Sequence, residues 1–204
     1  MGGDFSIIMM VFMATILIVN MALIAKTYHK VAPNQALIRT GVGGTHIIRD
    51  GGFVFPVMHQ AEIIDLSEQQ LVFKQEGKQG VFCKDYIKVD IEMRVRVQVN
   101  PEEIVKVAQN IGSKRAIDHD ILYGLFSSQI LEALKSLAKQ MDFTQLYQQQ
   151  AQLANLIKEN MGTDLHGYLI NAISIESLTQ TPIAFLDPDN ILDAKAIERV
   201  SGKA

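Results

Sequence analysis

The stretch YIKVDIEMRVRVQV, Tyr86 to Val99, decides how this sequence folds. Ile87, Val89, Ile91, Met93, Val95, Val97 and Val99 take every second position, and Lys88, Asp90, Glu92, Arg94, Arg96 and Gln98 stand between them. Side chains along a strand point alternately to the two faces of a sheet, so this pattern places every apolar group on one face and every polar group on the other. Period two held over 14 residues predicts one long, half-buried strand.

The strand ends at Asn100-Pro101, where Asn100 suits a helix cap and Pro101 the first helical position. EEIVKVAQNIG follows, with acids in its first turn and Gly112 as its stop. Ala116 to Met141 carries Ile117, Ile121, Leu122, Leu125, Ile130, Leu131, Leu134 and Leu137 at helical spacing. Asp142 suits the cap of a further helix, roughly Phe143 to His166, and YLINAISIESL, Tyr168 to Leu178, returns to a strand. After Asp187-Pro188-Asp189-Asn190, the residues Ile191, Leu192, Ile197 and Val200 begin a helical stripe. The stripe is expected to extend as a stalk or to meet a partner helix.

Ahead of the long strand, QALIRT (Gln35–Thr40), THIIRD (Thr45–Asp50), FVFPVM (Phe53–Met58) and AEIIDL (Ala61–Leu66) read as short strands. Five glycines lie between Gly41 and Gly52. A dinucleotide fingerprint needs Gly-x-Gly-x-x-Gly opening a helix, whose N-terminus holds the phosphate. GVGGTH lacks the third glycine and runs into β-branched residues, and no Lys followed by Ser or Thr makes a Walker loop. The glycines therefore turn a sheet, and Asp50-Gly51-Gly52 is a tight-turn signal that joins antiparallel strands.

Phe5 to Ala25 is 21 residues without a charge, and Ile8, Phe12 and Leu17 lie within it. At about 1.5 Å per residue such a helix spans roughly 30 Å, the thickness of the hydrocarbon core. A cleaved signal peptide would have a shorter apolar stretch behind positive charge. Here Asp4 precedes the stretch and Lys26 and Lys30 follow it, which places the C-terminal side in the cytoplasm. MGGDFS also fits an N-myristoylation pattern with Gly2 as acceptor, which a spanning helix makes redundant.

The organisation expected is α+β. Residues 1–30 form a transmembrane anchor, 31–75 an all-β half next to the membrane, 76–180 an α+β half, and 181–204 the start of a coiled-coil stalk. Chemistry is hard to find. The net charge of −3 makes no electrostatic case for nucleic acid. The single cysteine, Cys83, excludes an internal disulfide and a zinc knuckle, and no cofactor is expected. His119 stands between Asp118 and Asp120, a pattern more typical of a solvated helix start than of a metal site. No Gly-x-Ser-x-Gly elbow is present.

The residues do carry a resemblance. QALIRTGVGGTHIIRDGGFVFPVMHQAEIIDL resembles the opening of a flotillin domain, with its RTGVGG turn, its GGFVFP and the following His59. KDYIKVDIEMRVRVQVNPEEI is similar to the long strand and helix start of stomatin/prohibitin/flotillin (SPFH, or band 7) domains. FLDPDNILDAKAIERV resembles the junction at which bacterial flotillin-like inner-membrane proteins pass into a coiled coil.

The resemblance implies a membrane scaffold without catalysis, in the bacterial inner membrane, built into large rings or cages that organise microdomains. It also implies partners: membrane lipids, further copies of the chain, and a membrane protein of the NfeD type. A regulatory subunit that holds a membrane protease is the alternative.

Two surfaces are expected to serve such a scaffold. Phe53, Val54, Phe55, Pro56, Val57 and Met58 form an apolar loop that dips into the membrane beside the anchor. The row Lys88, Asp90, Glu92, Arg94 and Arg96, with Ile191, Leu192, Ile197 and Val200, is expected to meet the next protomer, where a heterologous contact repeats around a ring.

Overall fold

The computed structural model describes the backbone of residues 2–162 and 165–202, and the side chains of all these except 2–6, 8 and 23. It divides into two compact units, residues 1–65 and 66–204.

The first unit opens with α1 (Gly2–Thr27). Nothing in Met9–Thr27, 19 residues, is buried. Its polar side chains turn inward on the helix itself. Thr15 Oγ1 donates to the carbonyls of Val11 and Phe12, Asn20 Nδ2 to that of Ile16 and Thr27 Oγ1 to that of Ile24. A helix surrounded by hydrocarbon needs this, because no water is there to satisfy a free donor. Phe12, Leu17 and Ala25 are exposed on α1, whereas the side chains of Phe5 and Ile8 lie outside the described residues.

The glycine-rich region is antiparallel sheet. β1 (Tyr28–His29) pairs with β4 (Gly52–Phe53), and β2 (Gln35–Gly41) lies between β3 (His46–Ile48) and β5 (His59–Asp65). Ala36, Leu37, Ile38, Val54 and Ile64 make the small core. FVFPVM departs from the strand expected of it. Only Phe53 is in a strand, and residues 56–58 form a turn in which the N–H groups of Met58 and His59 both donate to the Phe55 carbonyl. Pro56 lacks the N–H a ladder requires, which ends the strand early.

The second unit is a sheet of β6 (Gln69–Gln75), β7 (Val81–Phe82), β8 (Lys88–Val99) and β9 (Tyr168–Gln180), all antiparallel. β8 is the central strand, pairing with β6 along 91–97, with β7 at 88–89 and with β9 along 89–99. Its alternation is kept. Val89, Ile91, Met93, Val95, Val97 and Val99 are at most 1% exposed. Burying each such side chain contributes about 1.5–3 kcal/mol, so this one face supplies much of the unit's driving force. β6 belongs to this sheet, which moves the boundary from residue 75 to Asp65/Leu66.

Helices α2 (Ile104–Asn110), α3 (His119–Ala138), α4 (Phe143–Gln148) and α5 (Gln150–Asn160) connect β8 to β9. α3 starts later than its apolar stripe suggests, because the Asp118 carboxylate accepts the N–H groups of Asp120 and Ile121 and sets the cap there. Leu122, Phe126, Ile130 and Leu134, four residues apart on α3, are fully buried. Phe73 of β6 stacks on Tyr123 at 4.9 Å, and Tyr168 of β9 meets the edge of Phe126 at 5.7 Å. The helix expected over 143–166 is two helices, broken at Gln149 (φ −113°, ψ 37°), and Gln145 Oε1 accepts the Asp142 N–H at its start.

The C-terminal helix α6 spans Ile191–Val200, where the helical stripe was expected to begin. One side of it is docked on its own unit, with Ala196 at 0% and Asp193 at 7% exposure.

Candidate functional site

In the first unit, outside α1, several exposed apolar side chains gather on two adjacent loops. The N–H of Val54 donates to the Thr27 carbonyl at 2.8 Å, so the loop 54–58 begins against the last residue of α1. Val54 then points inward, 4% exposed, while Phe53, Phe55 and Met58 stand about half out and Val57 is 97% exposed. Phe53 is steadied by an edge contact with Tyr28, 5.2 Å between centroids, and Arg39 donates to its carbonyl at 3.1 Å. The turn after β2 lies alongside, with the Val42 N–H donating to the Met58 carbonyl at 3.3 Å and Val42 itself 68% exposed.

The expected loop therefore exists as an exposed apolar surface, with Val54 removed from it and Val42 added. Val42 was legible only as an apolar residue set among glycines. An open hollow of about 410 Å³ lies between Thr40–Gly41 and residues 56–60. His59 Nδ1 is buried there without a hydrogen-bond partner. Polar and apolar groups face the same small space.

The charged row on β8 is tied into its own sheet. Lys74 of β6 pairs with Glu92 at 2.8 Å, Glu68 with Arg96 at 3.2 Å, and Glu176 of β9 with Arg94 at 3.6 Å. The Glu92 carboxylate, by hydrogen bond and by charge, holds Lys74 above its ordinary pKa. Asp90 accepts the Gly77 N–H at 2.9 Å and the Thr181 hydroxyl. The register of β9 slips between Glu92 and Met93 and again between Arg96 and Val97, leaving Glu176 and Asn171 out of register. Those two bulged residues supply contacts. Glu176 reaches Arg94, and Asn171 Nδ2 reaches Glu68 at 2.6 Å and Gln98 at 2.7 Å. Bulges commonly re-aim side chains in this way.

Lys88 does not belong with this row. It is 5% exposed and bound to Asp193 at 3.1 Å, so it is closed to any neighbouring protomer. The charge alternation could not reveal this, because the carboxylate that meets it lies 105 positions away. On α6, Ile191 and Leu192 are exposed at 76% and 44%, whereas Ile197 and Val200 are half-buried.

The remaining candidates stay structural. Asp118 serves as a cap, which uses the acid beside His119. Cys83 is buried, and burial, followed by the charges of Asp85 and Asp142, pushes its thiol up to about 12, away from the thiolate a nucleophile needs. Its neighbour Lys84 does not overcome that burial.

Comparison with known proteins gives the family. The SPFH domain / Band 7 family matches residues 29–184. The chain is 26% identical over 182 residues to the flotillin family inner membrane protein YqiK of Escherichia coli, covering 87% of this chain and 33% of that protein. It is 23% identical over 181 residues to the flotillin family inner membrane protein sll1021 of Synechocystis, covering 83% of this chain and 26% of that protein. The chain thus spans a third or less of the length of these curated relatives.

Proposed function

Because the chain belongs to the SPFH domain / Band 7 family, we propose that it is an oligomeric membrane scaffold of the flotillin type, forming a ring or cage that organises a patch of membrane. The observation that carries this reading is an apolar helix, none of it buried from Met9 to Thr27, running directly into the family's domain. A helix of that length and composition stands in water only at great cost and in a bilayer at none. The family is in general a scaffold rather than an enzyme, and the candidate surfaces here are an apolar rim and a self-paired charged face.

In this reading the chain crosses the membrane once, with residues after Lys30 in the cytoplasm, as Lys26 and Lys30 favour. Val42, Phe55, Val57 and Met58 enter the near leaflet beside the anchor. Membrane lipids and further copies of the chain are its partners, and an NfeD-type membrane protein is a third.

Mass measurement of the full chain in mild detergent tests the assembly. A large homo-oligomer is expected, and a small species at all concentrations would reject it. Labelling of engineered cysteines after Lys30 tests the topology. Reaction from the cytoplasmic side is expected, and reaction only from outside would reverse the orientation.

A further inference from the structure

Lys88 and Asp193 are both almost sealed from water, at 5% and 7% exposure, and Lys88 Nζ lies 3.1 Å from Asp193 Oδ1. The other carboxylate oxygen accepts the Asp187 N–H at 3.1 Å, and Nζ stands 5.1 Å from the centre of the Phe82 ring. Two residues before Lys88, Tyr86 has a left-handed backbone (φ +64°), which few residues other than glycine adopt. Its ring lies 4.6 Å from Lys195 Nζ of α6. The sheet thus lends a cation to the helix, and the helix lends one to the turn before β8. Ala196, three residues after Asp193 on the same side of α6, has no exposed surface at all.

A buried ion pair is a poor device for stability. Removing both charges from water costs about what their attraction returns, and apolar residues of the same size commonly do as well or better. What the pair supplies is direction. Apolar contact is non-directional, so a helix held by it alone can turn or slide. Rotation by one residue, about 100° on a helix, would carry Asp193 away from Lys88 and from the Asp187 N–H and strand three polar groups.

We propose that the Lys88–Asp193 pair, backed by the Tyr86–Lys195 contact, is a positioning latch that fixes the rotation and direction of α6 on its domain. The latch thereby decides which side of α6 faces out, namely the side bearing Ile191 and Leu192. That this outward pair meets a second copy of the chain is a further step, which rests on the scaffold reading.

The test uses the full chain in detergent, with spin labels at Gln70→Cys and Glu198→Cys and labelled chains diluted into unlabelled protein. The unaltered latch gives a narrow distance distribution. Lys88→Met with Asp193→Leu replaces both charges by apolar groups and is expected to keep the melting temperature while broadening the distribution. Asp193→Ala leaves the lysine buried and unpaired and is expected to lower the melting temperature. A distribution that stays narrow in the double variant would overturn the latch, since packing alone would then direct the helix. So would a double variant that melts as low as Asp193→Ala, since the pair would then be a stabilising contact. If the distribution broadens while the oligomer mass is unchanged, the latch stands and the step to the second copy fails.

Discussion

Gly41 lies flat against Met58. The two loops are joined there by the Val42 N–H on the Met58 carbonyl, and a Cβ on Gly41 would overlap that carbonyl oxygen. The backbone at Gly41 also has φ +146°, where side chains are strained. The apolar rim of the first unit therefore depends on a residue with no side chain. Gly41→Ala should cost about 1–3 kcal/mol locally. Hydrogen exchange should show faster exchange in β2 and β5, with the amides of β8 unchanged. Equal protection of β2 and β5 in the variant would show that the loops adjust freely.

Val57 provides a direct probe of the rim, because the sequence has no tryptophan. Val57→Trp in the full chain, reconstituted in vesicles, introduces one fluorophore at a 97% exposed position. Contact with the bilayer should shift its emission to the blue and allow quenching by brominated acyl chains. Emission typical of water, unaffected by brominated lipid, would place the rim outside the membrane.

The row on β8 separates two roles. Arg94→Glu with Arg96→Glu brings like charges beside Glu176 and Glu68. Exposed pairs of this kind are worth about 0–1 kcal/mol each, so the unit should remain folded by circular dichroism with modestly lower stability. If Arg94 and Arg96 also face a neighbouring protomer, the oligomer should shrink on size exclusion. An unchanged oligomer would confine the row to holding β6, β8 and β9 together.

Cys83 gives a prediction in pH. Its native thiol keeps its proton up to about 12, against 9.0 for an ordinary thiol, chiefly through burial. At pH 8 a thiol reagent should label it only after denaturant is added. Because the unfolded chain releases this proton at a lower pH than the folded one, the group takes nothing from stability below about pH 9. Stability should then fall as pH rises from about 9 toward 12. Cys83→Ser should flatten that part of the pH profile, and fast labelling of the native protein at pH 8 would contradict the burial.

The sequence alone determined the features written in neighbouring positions. The strand through Lys88–Val99 and the helical stripes of α3 and α5 are periodic, and periodicity reports which face of one element is buried, while the apolar helix and the glycine turns are read from local composition. Its motifs also pointed to the family that residues 29–184 match. The tertiary structure decided what depends on distant partners. Lys88 reads as one more charge on a solvated face until Asp193 arrives from 105 positions away and α6 closes over it. Val42 and Met58 become one surface only when two loops pair, and β6 joins the second unit because its ladder partner is β8. Local pattern fixes the orientation of a side chain on its own element. The element that packs against it is set by chain topology, which no local period encodes.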